Sequence, residues 1–370
     1  MVHFCNPVRL LLIGACLGAV SGAPASDVSC KNAHGKDVDW FVIYKLPKTK
    51  DDNRNTRSLL GGEMAYYDSS SNNSEWTLLD NDIYAKKLNP IKETLAPLYD
   101  STKKNVAFLA YNDQPPQGFG GSRGGHTKGV LLAGTGRSEG VVWLQHSVPR
   151  FVEDVKNKYE YPESGRENGQ LFFCISFPLQ AVENISLHLR VQGANVYQSR
   201  APKWAADFDE FWYLLHQMYR RDKKGHLRID LLHTSAHRLV LAIAKPPRLL
   251  RDVYTQDLKN HMNDSITVQS WKNGAGGAQQ KHCTKTYSVT DVETIRIHTK
   301  DDDLYFTTSE DHSKWYVTKS NGIFCFSSLN RMLSQMKRGG EITCIANKSL
   351  ATLFIKSIYK RSLCKGEKAD

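Results

Sequence analysis

Gly125-His126-Thr127-Lys128-Gly129-Val130-Leu131-Leu132-Ala133-Gly134 leads through Thr135-Gly136-Arg137-Ser138-Glu139-Gly140 to Val141-Val142-Trp143-Leu144-Gln145-His146. Val130–Ala133 and Val141–Leu144 are apolar runs of strand length, and Gly134, Thr135, Gly136 and Gly140 supply turn chemistry between them. The stretch from Gly125 to Phe151 therefore reads as a β-hairpin with a reactive end. On a strand, residues i and i+2 share a face, so His126 and Lys128 present an imidazole beside an ammonium. Asp311-His312-Ser313-Lys314-Trp315-Tyr316-Val317 repeats the arrangement, with His312 and Lys314 on one face. Two such pairs can converge on one anion.

Outward from that stretch, the chain has the material for a packed core. Its 370 residues are 40% hydrophobic, enough for one large domain or two ordinary ones. Arg9, the apolar run Leu10–Val20 and the small residues Ser21–Ala25 have the layout of a secretory signal peptide, expected to be cut after Ala25. No other apolar run approaches the roughly 20 residues of a membrane span, so no membrane insertion is expected. Without Cys5 and Cys16 of the leader, Cys30, Cys174, Cys283, Cys325, Cys344 and Cys364 form an even set, consistent with three disulfides in an oxidising compartment. Spacing alone leaves 15 connectivities open. No Cys-x-x-Cys pair suggests zinc, and no metal or cofactor is expected. Asn72, Asn184, Asn263 and Asn347 each begin an Asn-x-Ser sequon, the acceptor pattern for glycans.

The formal charge is +11, or +10 without Arg9, which favours a polyanionic partner. The Gly- and Pro-rich stretch Asn112–Gly125 matches neither the dinucleotide nor the Walker pattern and reads as a mobile rim. Strands are expected over Val38–Leu46, Val106–Tyr111, Leu171–Phe177, Arg238–Ala244, Ser265–Trp271, Thr294–His298, Leu304–Thr308 and Trp315–Thr318. Helices are expected over Asp82–Tyr99, interrupted at Pro90, and over Leu179–Val191, Phe208–Arg221 and Leu350–Tyr359. Strands mixed with helices in both halves predict an α/β, mixed α+β architecture with a boundary between 190 and 230.

His-x-Lys is a common pattern. With 13 His and Lys at about one residue in twelve, chance supplies roughly one. The chain has four, of which His34-Gly35-Lys36 and His298-Thr299-Lys300 read as solvated surface. The other two differ in their flanks. Asp39–Pro47, Tyr111–Pro116, Gly125–Val130, His146–Pro149, Glu310–Trp315, and Asn330-Arg331 followed by Gly339-Gly340 resemble the deoxyribonuclease II family of the phospholipase D-like superfamily. These blocks span residues 38 to 344, with 195 to 280 unmatched.

The resemblance implies two pseudo-symmetric lobes, residues 26–200 and 201–370, each a sheet flanked by helices with the active site between them. It implies an acid endonuclease that cuts DNA without metal, leaves 3′-phosphate and 5′-hydroxyl ends, and resides in lysosomes or is secreted. His126, Lys128, His312 and Lys314 would be catalytic, one histidine as nucleophile and the other as acid, with His146 and Asn330 as supporting phosphate ligands. It also implies the pairs Cys30–Cys174, Cys325–Cys344 and Cys283–Cys364. A lipid phosphodiesterase would share the His-x-Lys pairs but should show an apolar docking surface, where this chain offers basic runs at Arg220–Arg228 and Lys356–Lys365. A family member that binds DNA or a host protein without cleaving it is the other alternative. Oligomeric state is not encoded in any recognisable feature.

Overall fold

The structure is a computed structural model and describes residues 26–49, 54–55, 57–219, 225–274 and 276–367. The leader read in residues 1–25 and part of the basic run Arg220–Arg228 lie outside the described residues. The architecture is mixed α+β, built on two large sheets.

The first sheet runs, in spatial order, Val196–Arg200, Val106–Asn112, Lys128–Gly134, Gly140–His146, Gln170–Phe177, Trp40–Lys45, Met64–Asp68 and Thr77–Leu78, all antiparallel. The second runs Arg228–His233, Leu239–Lys245, Gly340–Ala346, Ile323–Ser327, Trp315–Thr318, Ile266–Gln269, Val289–His298 and Asp303–Thr307. Ile358–Arg361 adds to Val289–His298 from outside that path. The opening hairpin forms as read, with Gly134 opposite Gly140 and Gly136 at a φ of +65°, a conformation that costs glycine little.

Strand Trp40–Lys45 shows how the layers form. Trp40, Val42 and Tyr44 enter a core shared by both sheets, whereas Phe41 and Ile43 enter a second core on the outer face. A strand covered on both sides must be apolar throughout, hence the unbroken hydrophobic run. In the shared core Phe173 of the first sheet meets Phe324 of the second edge to face, with ring centroids 5.7 Å apart. Helices Ala181–Val191, Asp209–Leu215 and Lys348–Lys356 contribute Ile185, Phe211 and Phe354 to it. Helix Pro90–Tyr99 covers the outer face of the first sheet with Ile91, Leu95 and Leu98.

Three helices end differently from the sequence reading. Asp82–Tyr99 is helical only over Pro90–Tyr99, because Asn89 caps it, accepting from the N–H groups of Ile91 and Lys92, after Leu88 takes a φ of +54°. Phe208–Arg221 shortens to Asp209–Leu215: Gln217 adopts a φ of +54°, and Tyr219 turns aside to receive the Val196 N–H at 2.8 Å. The last helix stops at Lys356. Ser357, tied to Leu353 O and Trp76 Nε1, starts the return strand Ile358–Arg361.

Disulfides join Cys30–Cys174, Cys283–Cys364 and Cys325–Cys344. The first ties the strand Cys30–Lys31 to Gln170–Phe177, and the third links paired residues on neighbouring strands of the second sheet. Among the described residues no helix is long and apolar enough to cross a membrane.

Candidate active site

Both histidines sit just ahead of a regular strand, not within one. Strand Lys128–Gly134 begins two residues after His126, and Trp315–Thr318 begins three after His312. Each histidine is instead seated on the glycine that immediately precedes a strand of the other sheet. The His126 N–H donates to Gly339 O at 2.8 Å, while the Gly339 N–H donates to Gly124 O at 2.9 Å. The His312 N–H likewise donates to Gly169 O at 2.8 Å, and the Gly169 N–H to Glu310 O at 2.7 Å. Glycine is required at both seats by close approach: a Cβ on Gly339 would lie 2.0 Å from Gln192 O, and one on Gly169 2.6 Å from Asp311 Oδ1.

Lys128 and Lys314 are buried, whereas His126 and His312 stay partly exposed above them. The Lys128 ammonium pairs with Asp113, which also accepts from Arg338 Nη2 at 3.1 Å. The Lys314 ammonium donates to the His312 carbonyl. Burial alone would raise the Asp113 carboxyl, but Lys128, His126 and Arg338 outweigh it and hold it below the ordinary range. Burial first, then the Lys128 charge, lowers Lys314 to about 7.

The two His-x-Lys pairs act on each other electrostatically. Burial first, then Lys128 and Lys314, lowers His126 to about 3. Burial first, then Lys314, Lys128 and His126, lowers His312 to about 2. The His126 ring rests on Ser328 O, and the neighbouring Ser327 donates its N–H to Lys314 O at 3.0 Å, so the two His-x-Lys pairs meet side by side.

Their hydrogen bonding differs. His126 Nδ1 lies 2.6 Å from the Ser328 carbonyl, which can only accept, so Nδ1 carries the proton and Nε2 keeps its lone pair. His312 Nδ1 is buried with no partner among the described residues, and the ring meets the half-buried Trp271 edge to face at 4.6 Å.

His146 is buried between Phe151 and Phe172. Its Nδ1 accepts the Val148 N–H at 3.2 Å, which leaves the proton on Nε2, a buried donor without a partner among the described residues. Burial and then Lys128 keep this ring far below the usual histidine range. Asn330 is nearly buried, two residues beyond Ser328, and lines a small cleft with Lys245, Tyr254 and Arg331. Among the described residues no hydrogen bond joins Asn330 to either His-x-Lys pair. Arg331 is engaged by Asp291 at 2.5 Å and belongs to the scaffold.

The remaining sequence candidates lie elsewhere. His34 is in an exposed turn, and His298 pairs with Asp303 at 2.8 Å. Asn72, Asn184 and Asn263 are exposed, while Asn347 is partly buried and caps the last helix through the Leu350 N–H. Among the described residues no group of three or more His, Cys, Asp or Glu is placed to hold a metal ion.

Sequence reading assigned no role to Asp113, Arg338, Ser328 or Trp271. An acidic residue in the Gly- and Pro-rich stretch that leads to an anion-binding pair was the available signal for Asp113. Arg338 and Ser328 act through the fold alone. Asn112–Gly125, expected as a mobile rim, is anchored at both ends, with Gln117, Gly118 and Gly120–Arg123 exposed between them. Asn112 Nδ2 donates to Val148 O and Phe151 O, Arg338 donates to Gly124 O and Gly125 O, and the Gly125 N–H donates to Gly193 O.

The family pattern described as Deoxyribonuclease II matches residues 29–364. Cell-death-related nuclease 7 of Caenorhabditis elegans is 33% identical over 342 residues, covering 91% of this chain and 88% of that protein. Plancitoxin-1 of Acanthaster planci is 31% identical over 358 residues, 94% of this chain and 96% of its own. Deoxyribonuclease-2-alpha of Sus scrofa is 32% identical over 339 residues, 89% of this chain and 88% of its own. With the family pattern spanning nearly the whole chain around two converging His-x-Lys pairs, this protein belongs to the deoxyribonuclease II family.

Proposed function

We propose that this chain is an acid deoxyribonuclease that hydrolyses DNA without metal through a phosphohistidine. The observation carrying this reading is the meeting of His126, Lys128, His312 and Lys314 at one place, within a chain that belongs to a deoxyribonuclease family. Nε2 of His126 attacks phosphorus; as the P–N bond forms, the bond to the 5′ oxygen breaks, and His312 as imidazolium gives that oxygen its proton. His312, now neutral, takes a proton from water, whose oxygen replaces His126 on phosphorus. The products are a 3′-phosphate and a 5′-hydroxyl, and both histidines return to their starting forms.

Lys128 and Lys314 hold the nonbridging oxygens and offset the charge that accumulates in the transition state. The unpartnered Nε2–H of His146 gives it a donor for the same phosphate, and Asn330 is read as the corresponding support beside the second pair. His312 can act as an acid because a bound phosphodiester, as a neighbouring negative charge, offsets part of the lowering that burial and then the two lysines impose.

We read residues 26–200 and 201–370 as two phospholipase D-like lobes. The reading rests on two sheets in each of which the strand that follows a His-x-Lys pair lies three places, with two strands between, from the strand ending in Lys45 or Lys245. We place the protein in the secretory pathway, after loss of residues 1–25, with lysosomal delivery or secretion as its fate. The three disulfides and the exposed sequons at Asn72, Asn184 and Asn263 support that placement.

Supercoiled plasmid incubated with the purified protein in EDTA at acid pH, followed by end-group analysis, tests the function. Nicking with 3′-phosphate ends is expected. Intact plasmid that the protein nevertheless binds would favour a non-catalytic DNA-binding member.

A further inference from the structure

Two buried lysines outside the His-x-Lys pairs occupy matching places in the two sheets. Lys45 ends strand Trp40–Lys45 and stands opposite Gln170, the residue after Gly169. Lys245 ends strand Leu239–Lys245 and stands opposite Gly340, the residue after Gly339. Gly169 and Gly339 are the two histidine seats, so each lysine borders the seat of the other half's histidine.

Their ammonium groups are spent on that border. Lys45 Nζ donates to the carbonyls of Gly165 at 2.6 Å, Arg166 at 2.9 Å and Asn168 at 2.5 Å, with Gly61 O at 3.3 Å. Lys245 Nζ donates to Met336 O at 2.7 Å and Arg338 O at 2.6 Å. Both side chains are fully buried, and among the described residues neither has a carboxylate partner within ion-pair distance. A buried ammonium without a counter-charge is costly unless its donors are satisfied. Here they are satisfied by carbonyls of the loop that runs directly into each seat.

We propose that Lys45 and Lys245 are positioning residues for hydrolysis, Lys45 setting His312 through Gly169 and Lys245 setting His126 through Gly339. This rests on the phosphohistidine reading above. Loop 165–169 is gathered on the Lys45 ammonium, and Gly169 then receives the His312 N–H. Loop 336–339 is gathered on the Lys245 ammonium, and Gly339 then receives the His126 N–H. The same loop carries Arg338, which reaches Asp113 and so orients Lys128 as well. Burial lowers Lys45 to about 7 and Lys245 to about 8, so both remain ammonium on the acid side.

The assignment separates the two lysines by chemical step. A phosphodiester with a p-nitrophenolate leaving group, such as the 3′-(p-nitrophenyl phosphate) of thymidine, needs no proton from His312 but still needs attack by His126. Lys45→Met and Lys245→Met are compared with wild type on DNA and on this ester, recording kcat, KM, the first-turnover burst of p-nitrophenolate, and melting temperature. Lys45→Met should lose roughly ten- to hundredfold in kcat on DNA with KM within about threefold, yet keep a near-normal burst on the ester. Lys245→Met should lose about as much on both. Equal losses on both substrates for Lys45→Met that track a smaller folded fraction would reduce it to a structural residue and overturn the assignment. Wild-type kcat in either variant would do the same. If the Met variants do not fold, Lys45→Gln and Lys245→Gln keep a donor in each cradle and carry the same expectations with smaller losses. His126→Ala or His312→Ala retaining full activity would overturn the mechanism itself. Inactive histidine variants beside unaffected lysine variants would overturn this inference alone.

Discussion

The Nδ1–H of His126 donates to the carbonyl oxygen of Ser328, which lies in the half of the chain that carries His312, at 2.6 Å. That bond fixes the imidazole with its lone pair on Nε2, while among the described residues His312 Nδ1 has no partner that fixes its tautomer. Nucleophile and acid are thereby distinguished by their surroundings. His126→Ala should abolish turnover, and His312→Ala should cost roughly 10²- to 10⁴-fold on DNA. Binding of a DNA duplex should stay within a few-fold in both. Steady-state rates and filter binding check this; full activity in either variant would remove the histidine pair from the mechanism.

The pKa directions give two opposite pH signs. A phosphate beside Lys314 favours its ammonium form, which burial and Lys128 have lowered to about 7, so anion binding takes up protons and tightens as pH falls through 7. Stability behaves otherwise. His126, lowered to about 3, and His312, lowered to about 2, bind protons less readily folded than unfolded, where histidine titrates near 6.5. The stability from their neutral forms is fully present above about 6.5 and is lost as pH falls toward their folded values. The melting temperature without anions should therefore drop from pH 7 to pH 4, and inorganic phosphate should raise it more at pH 5 than at pH 8. A pH-independent shift would contradict the coupling. The rate on DNA should trace a bell on the acid side, reporting the histidines as a pair.

The +10 charge expected of the chain without its leader predicts sequence-tolerant DNA binding that weakens steeply with salt. Affinity of a His126→Ala protein for duplexes of unrelated sequence, measured across salt concentrations, should fall linearly on a log–log plot. A flat line would assign the basic surface to something other than phosphate.

Cys30–Cys174 and Cys283–Cys364 close loops of 144 and 81 residues in sequence separation. Each is expected to contribute roughly 2 to 5 kcal/mol. Reducing agent should abolish activity together with folded structure. Non-reducing peptide mapping that recovers free thiols at these four cysteines would sink the prediction.

What could be read ahead of the structure was what is local. Alternation and apolar runs located the strands Trp40–Lys45, Lys128–Gly134 and Gly140–His146, and the flanks of His126 and His312 separated them from His34 and His298. Helix ends were overextended where a single backbone angle decides, as at Leu88 and Gln217, since periodicity does not report φ. The site's supports were hidden for a different reason. Ser328 serves His126 from 202 positions away, Arg338 reaches Asp113 from 225, and the seats Gly169 and Gly339 immediately precede strands of the opposite sheet. No residue pattern reports a contact that exists only when two sheets close on one core. Asn112–Gly125 shows the same limit, since its composition reads as a loose loop and its anchors all come from distant segments.

The most direct measurement is to mix His312→Ala with a ³²P-labelled nucleotide p-nitrophenyl ester, quench with alkaline denaturant below one turnover, and map the labelled peptide at high pH, where a phosphorus–imidazole bond survives. Leaving-group departure needs no proton in this substrate, while water attack loses its base, so labelled phosphate should accumulate on His126. Label on His312 in the reciprocal His126→Ala protein, with none on His126, would contradict the assignment of His126 as the nucleophile.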